Sequence, residues 1–196
     1  MRRFRSLTFA CTLVLFACLA RAQQIDLLVS GSTLFAPKYN NSSLAYPPPA
    51  QKGGVYPGFS IEYIRKDHLG FNAEMMFRDH KTLYNGYQEY RPYFYDVNAV
   101  FAPRLGLKTQ GDFMAGFGAE TLLFYNTFGT CNYSNCLVNV NSTHFMLHLG
   151  GGVRYYVWRE FFIRPEVHYY RVINNSQFNS DNIFRAGASI GYTFRR

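Results

Sequence analysis

From Ile25 onward the chain repeats one pattern. Segments of about ten residues alternate apolar and polar side chains with period two and are separated by turn signals. The last is the cleanest: Phe184, Ala186, Ala188, Ile190, Tyr192 and Phe194 lie on one face, against Arg185, Gly187, Ser189, Gly191, Thr193 and Arg195 on the other. A strand places successive side chains on opposite faces, so each segment predicts a strand between two different environments. Eight are readable: Ile25–Phe35, Val55–Ile64, Leu69–Arg78, Tyr93–Ala102, Phe113–Leu123, Phe145–Val157, Phe161–Tyr170 and Phe184–Arg195. Pro165 sits in the seventh, where a ladder donor is lost and a bulge could absorb it, and the strand is kept.

The connections alternate in length. Short ones follow the second strand (Arg65 to His68), the fourth (Pro103 to Gly111) and the sixth (Trp158 to Glu160). Long polar ones follow the first (Ala36 to Gly54), third (Asp79 to Pro92), fifth (Asn126 to His144) and seventh (Val172 to Asn182). An even number of strands with all long loops at one end predicts an all-β, eight-stranded, antiparallel up-and-down transmembrane barrel. Short turns then face the periplasm and long loops the cell exterior.

Charge decides which face looks inward. The polar face carries Glu62, Glu74, Asp96, Glu120 and Glu166 against Arg78, Arg154, Arg164 and Arg185, with His148 and His168 on the same side by parity. The other face is Phe, Leu, Ile, Val, Ala and Tyr. A soluble lipid carrier would turn its apolar face inward. The predicted barrel does the reverse, with lipid outside and a narrow, salt-bridged lumen inside. Parity does not fix the pairing; Glu120 and Glu74 are candidate partners for Arg154.

Export is expected as well. Arg2-Arg3-Phe4-Arg5, an apolar run from Leu7 to Ala20 and the small-x-small site Ala20-Arg21-Ala22 read as a cleavable signal over 1–22, with cleavage between Ala22 and Gln23. Leu15-Phe16-Ala17-Cys18 offers an alternative, a lipoprotein acylated at Cys18. After cleavage, 16 Lys+Arg remain against 12 Asp+Glu, so the formal +8 falls to +4 and half of the basic balance belongs to targeting. The remaining Lys and Arg are scattered, which excludes a nucleic-acid module. Aromatics at 18% of the chain, against 16% charged residues, exclude a disordered or coiled-coil protein.

Residues 23–196 form one domain by length. Cys131 and Cys136, five apart in the third long loop, are expected to pair as a disulfide in an oxidising compartment. No metal site is expected, because His144 stands alone at ligand spacing, and no cofactor is implied. Ser142 with His144, and His168 with Glu166 and Ser176, are the possible hydrolase pairings. Neither repeats a lipase signature, and no Gly-x-Ser-x-Gly occurs. Gly150-Gly151-Gly152 lies mid-strand and reads as close packing rather than a phosphate loop.

Gly150-Gly151-Gly152-Val153-Arg154-Tyr155-Tyr156, Phe161-Phe162-Ile163-Arg164-Pro165-Glu166-Val167 and Ala188-Ser189-Ile190-Gly191-Tyr192-Thr193-Phe194 resemble the small OmpA/OmpX-like outer-membrane barrel domains. The resemblance covers residues 23–196 without the family's frequent peptidoglycan-binding extension. It implies that Tyr192 and Phe194 belong to the signal read by the outer-membrane assembly machinery, although Arg195-Arg196 follow the usual closing aromatic. Tyr155, Tyr156, Trp158, Phe161 and Phe162 are expected to join them in a periplasmic aromatic girdle. The expected protein is a monomeric, non-enzymatic barrel in contact with outer-membrane lipid and lipopolysaccharide, with an envelope-integrity or loop-mediated surface role. The alternatives are a porin-like channel for small solutes, a lipid-modifying enzyme and a soluble periplasmic barrel.

Overall fold

The structure, a computed structural model, describes residues 24–38, 48–65, 68–132 and 135–195, with side chains at all of these except 126–132, 135–138 and 195. The strands are β1 (Gln24–Phe35), β2 (Val55–Ile64), β3 (Leu69–Phe77), β4 (Thr82–Tyr84), β5 (Gln88–Phe101), β6 (Thr109–Asn132), β7 (Asn135–Trp158), β8 (Phe161–Val172) and β9 (Asn182–Arg195). Eight of them build the wall. β3 passes over β4 to pair with β5, and β1 pairs with β9, so every neighbour is antiparallel and the ring closes. Closure leaves no row of unpaired backbone groups, which is what allows a sheet to sit in hydrocarbon. β4 pairs only with β5, as a hairpin on the second long loop. Its turn uses Asn85 and Gly86 at φ 50° and 88°, with Tyr87 donating to the Tyr84 carbonyl. That left-handed pair is the Asn-Gly preference of tight hairpins.

The alternation in the sequence is an alternation in burial, but inverted relative to a soluble protein. Phe71, Val167 and Ile190 are each 65% exposed on the outside, whereas Arg154 and Arg164 are completely buried inside. Large apolar side chains cover the outer face of all eight wall strands. Such a belt is stable against acyl chains, not water, so the soluble-carrier alternative does not describe this molecule.

One expectation about strand limits needs correction. β6 and β7 each run 24 residues, so much of the segment read as the third long loop is a β-hairpin standing on the barrel. Past Tyr125 the sequence mixes Asn, Thr, Ser and Gly with apolar residues at no fixed period, so the period-two signal is lost while backbone pairing continues. The ladder shifts register between Tyr125 and Thr130 as it leaves the wall. Pro165 is accommodated without a bulge. β7 and β8 keep one register on either side of it (Gly152↔Glu166 and Tyr155↔Ile163), and Pro165 itself pairs with Ala188 of β9. The lost donor is absorbed by a gap in the β7 ladder at Val153 and Arg154.

At the short-turn end, Trp158 stacks on Phe161 (6.1 Å), Phe161 meets Tyr192 edge-on (4.8 Å), and Tyr192 meets Phe194 (5.0 Å). Tyr156 and Phe162, by contrast, point inward and are buried. The backbones of Cys131 and Cys136 are register partners near the tip of the hairpin. Their side chains, like the signal and cleavage site at Ala22 and Gln23, lie outside the described residues.

Candidate functional site: a closed, charged lumen

The lumen is layered along the barrel axis. Nearest the short turns, Arg154 of β7 spends each guanidinium nitrogen on a different strand. Nη1 donates to Asp26 of β1, Nη2 to Glu62 of β2, and Nε to Asp112 of β6 at 2.5 Å. All four groups are fully buried. A planar fork of five N–H donors suits this arrangement, which a single ammonium cannot reproduce. Arg164 of β8 joins the layer to the next one up. Its Nη1 donates to Glu62 (3.0 Å) and Asp112 (3.2 Å), and its Nε donates to Glu166 (2.9 Å).

The middle layer centres on Arg185 of β9, which donates to Glu74 (2.6 Å), to Glu166 (2.8 Å) and to His168 Nε2 (2.7 Å). His168 Nδ1 lies 2.8 Å from His148 Nε2, and His148 Nδ1 lies 2.6 Å from Asn98 Oδ1 and 3.3 Å from Asp96. Tyr170 stacks on His148 at 4.5 Å. Gly150 makes this stack possible, because a Cβ there would overlap His168 Nδ1 and press on His148 Nε2 at 3.0 Å. Gly150 and Gly152, whose added Cβ would lie 2.8 Å from the Pro165 carbonyl, are thus the close-packing positions of the Gly-Gly-Gly run.

An apolar layer follows, built from Leu34, Tyr56, Met76, Phe94, Met146, Tyr170, Val172 and Ile183. Beyond it, at the long-loop end, stands Glu120. Its carboxylate accepts from Gln51 Nε2 (2.7 Å) and Asn175 Nδ2 (3.2 Å), one residue from each of two long connections. Tyr90, Leu122, Phe124 and Phe178 pack beside it, with Tyr84 against them. Burial, and then Tyr87 nearby, push the Tyr84 phenol above its ordinary range, so it remains a donor, here to the Gln177 carbonyl at 2.8 Å.

Glu62, Glu74, Asp96, Glu120, Arg154, Arg164, Glu166, His168 and Arg185 all face the lumen; eight are linked through the arginines and His148, and Glu120 stands apart. The acids on Arg154 are Asp26, Glu62 and Asp112, not Glu120 or Glu74. Asp26 and Asp112 escaped the sequence reading because each lies at the short-turn end of its strand, where alternation is weakest. Arg78 lies just past β3 and is only half-buried. Gln51 and Asn175 carry no sequence signal at all, since they come from loops. Ser142 Oγ and His144 Nε2 do approach to 3.0 Å. Glu120, the register partner of His144, is bonded to amides instead, so no acid orients that pair among the described residues. No group of three or more metal-ligating His, Cys, Asp or Glu side chains occurs among the described residues.

The architecture is that of the small bacterial outer-membrane β-barrels. Neisserial surface protein A superimposes with a TM-score of 0.65 at 13% identity, covering 87% of this chain and 97% of that one. The N-terminal β-barrel domain of Pseudomonas aeruginosa OprF gives 0.58 at 14%, covering 88% and 98%. Ail, the attachment invasion locus protein of Yersinia pestis, solved with the heparin analogue sucrose octasulfate, gives 0.56 at 15%, covering 87% and 97%. No family model and no curated protein matches the chain. The likeness is one of fold: a closed eight-stranded barrel of the outer-membrane type, with its apolar belt outward.

Proposed function

We propose that the protein is a non-enzymatic, monomeric barrel of the outer membrane that holds its long-loop end, above all the β6–β7 hairpin, rigidly at the cell surface for interaction with partners. The carrying observation is the packed lumen. Buried charge layers and an apolar layer cross the barrel from strand to strand, which suits a stiff anchor and not a conduit. The hairpin adds a two-stranded platform beyond the wall. A neighbour in fold carries attachment in its name, which agrees with a surface role. In this reading outer-membrane lipid and lipopolysaccharide surround the wall, and the assembly machinery reads the final strand at Tyr192 and Phe194. Removal of the leader before Gln23 delivers the chain.

The test replaces residues 126–141 with a two-residue Asn-Gly turn. The shortened barrel should still migrate differently before and after boiling, while cells displaying it lose attachment to surfaces coated with heparin or matrix protein. Unchanged attachment would remove the hairpin from the account. In planar bilayers the intact protein should show no steady stepped conductance, and a stable open channel would favour the porin-like alternative.

A further inference from the structure

Six of the seven lumen acids touch an arginine or a histidine. Asp26, Glu62 and Asp112 meet Arg154, Glu74 and Glu166 meet Arg185, and Asp96 meets His148. Glu120 does not. It is completely buried, and among the described residues no Lys, Arg or His nitrogen lies within 4.0 Å of it. Two neutral amides are its only hydrogen-bond partners there. A carboxylate out of water with no counter-charge is costly.

A second observation at the same place concerns the amide that meets it. Gln51 is only 4% exposed, and its Oε1 is buried without a hydrogen-bond partner while its Nε2 is turned to Glu120. The two amides are held differently. Asn175 is locked, because its Oδ1 accepts from the backbone N–H of Gln177 and Phe178. The Gln51 amide has one side-chain bond, the one to Glu120, so it is free to turn about its last torsion. Turning it would bring Oε1 to the position of Nε2, 2.7 Å from Glu120 Oε1. Two oxygens at that separation fit the coordination shell of one calcium ion, whose ligands lie about 2.3–2.6 Å away.

We infer that the long-loop mouth of the barrel contains a hard-cation site, with Glu120 and Gln51 as protein ligands and calcium as the ion of best fit. The donor set is all oxygen and carries one carboxylate, which selects hard divalent ions over zinc or copper. Water is available to complete the shell, and the buried Ser180 hydroxyl holds the Gln51 backbone in place by accepting its N–H at 3.2 Å. Gln51 belongs to the connection after β1 and Glu120 to β6, so the bound ion would clamp that connection into the mouth. A single carboxylate makes the site weak, in the range of about 0.1–1 mM seen for extracellular calcium modules. The inference stands apart from the proposed surface role, because it does not require the hairpin to bind anything.

The test uses the full mature barrel, refolded in a zwitterionic detergent free of lipopolysaccharide, with calcium chloride as the probe. The thermal midpoint should rise with calcium through about 1–10 mM and exceed that of a sodium chloride control at matched ionic strength. Glu120→Gln, which keeps the shape of the side chain, and Gln51→Leu should each flatten that response. Equilibrium dialysis with radioactive calcium should give one ion per parent barrel, so the idea stays testable even if a variant fails to refold. No calcium-specific rise and no bound ion in the parent would overturn it and leave a proton as the partner of Glu120. A rise of equal size in Glu120→Gln would overturn it too.

Discussion

Arg185 Nη2 donates to His168 Nε2 at 2.7 Å, and that one bond sets the tautomers of two histidines. Arginine has no acceptor, so His168 Nε2 must be the unprotonated nitrogen and Nδ1 must carry the hydrogen. His168 Nδ1–H then donates to His148 Nε2, which leaves His148 Nδ1–H to donate to Asn98 Oδ1. The direction of the chain is fixed from β9 through β8 and β7 to β5. Long-range nitrogen–proton NMR should find both buried imidazoles as the Nδ1–H tautomer. An Nε2–H signal for His168 would contradict the chain.

Gly150 gives that stack its room. Gly150→Ala forces a methyl group into His168 Nδ1. Overpacking of this kind costs about 1–3 kcal/mol. The denaturant midpoint of Gly150→Ala should fall accordingly, with loss of the ordered imidazole signals, whereas Gly151→Ala should be mild. A Cβ on Gly151 meets nothing closer than the Asp112 carbonyl at 3.4 Å.

Arg154 is shared by three carboxylates from three strands, so its removal leaves Asp26 with no cation among the described residues and Glu62 and Asp112 with Arg164 alone, around a void. Breaking a buried ion pair by deleting one partner costs about 3–5 kcal/mol. Arg154→Met should lose at least that much in urea-refolding measurements. Arg154→Lys should recover little of it, because one ammonium cannot reach Asp26, Glu62 and Asp112 in the directions of the three nitrogens. Full recovery by lysine would mean that charge alone matters here and the fork geometry does not.

Cys131 and Cys136 should be joined in the mature protein. A closed loop this short removes little entropy from the unfolded chain, so reduction should barely move the global midpoint. The check is thiol labelling of non-reduced outer membranes, in which neither cysteine should react. Labelling of both would exclude the bond.

The wall strands were legible because each separates two environments, and period two is the direct imprint of that separation. Ala186, Ala188 and Ile190 alternate with Arg185, Gly187 and Ser189 for this reason, and the eight wall segments appear where the sequence places them. The upper parts of β6 and β7 were illegible because their sequence, from Asn126 to Ser142, carries no period-two alternation. The identity of the lumen charges was legible from parity, but their pairing was not. Arg154 reaches Asp26 across 128 positions of sequence and Glu62 across 92, distances set by barrel closure rather than by local pattern. Gln51 and Asn175 reach Glu120 from loops, where no periodicity marks an inward residue.

The inside–outside assignment carries everything else, and one substitution tests it directly. Ala188 is exposed on the outer face of β9, while its neighbour Ser189 is 1% exposed and bonded to Arg164 and Glu166. Arginine on the lipid face near the midplane costs about 2–4 kcal/mol in barrels of this kind. Ala188→Arg should therefore lower folding into phosphatidylcholine liposomes by that amount relative to the parent, with little effect at a solvated loop control such as Tyr87→Arg. If Ala188→Arg folds into liposomes as readily as the parent, the apolar face is not in contact with lipid and the membrane-spanning account is wrong.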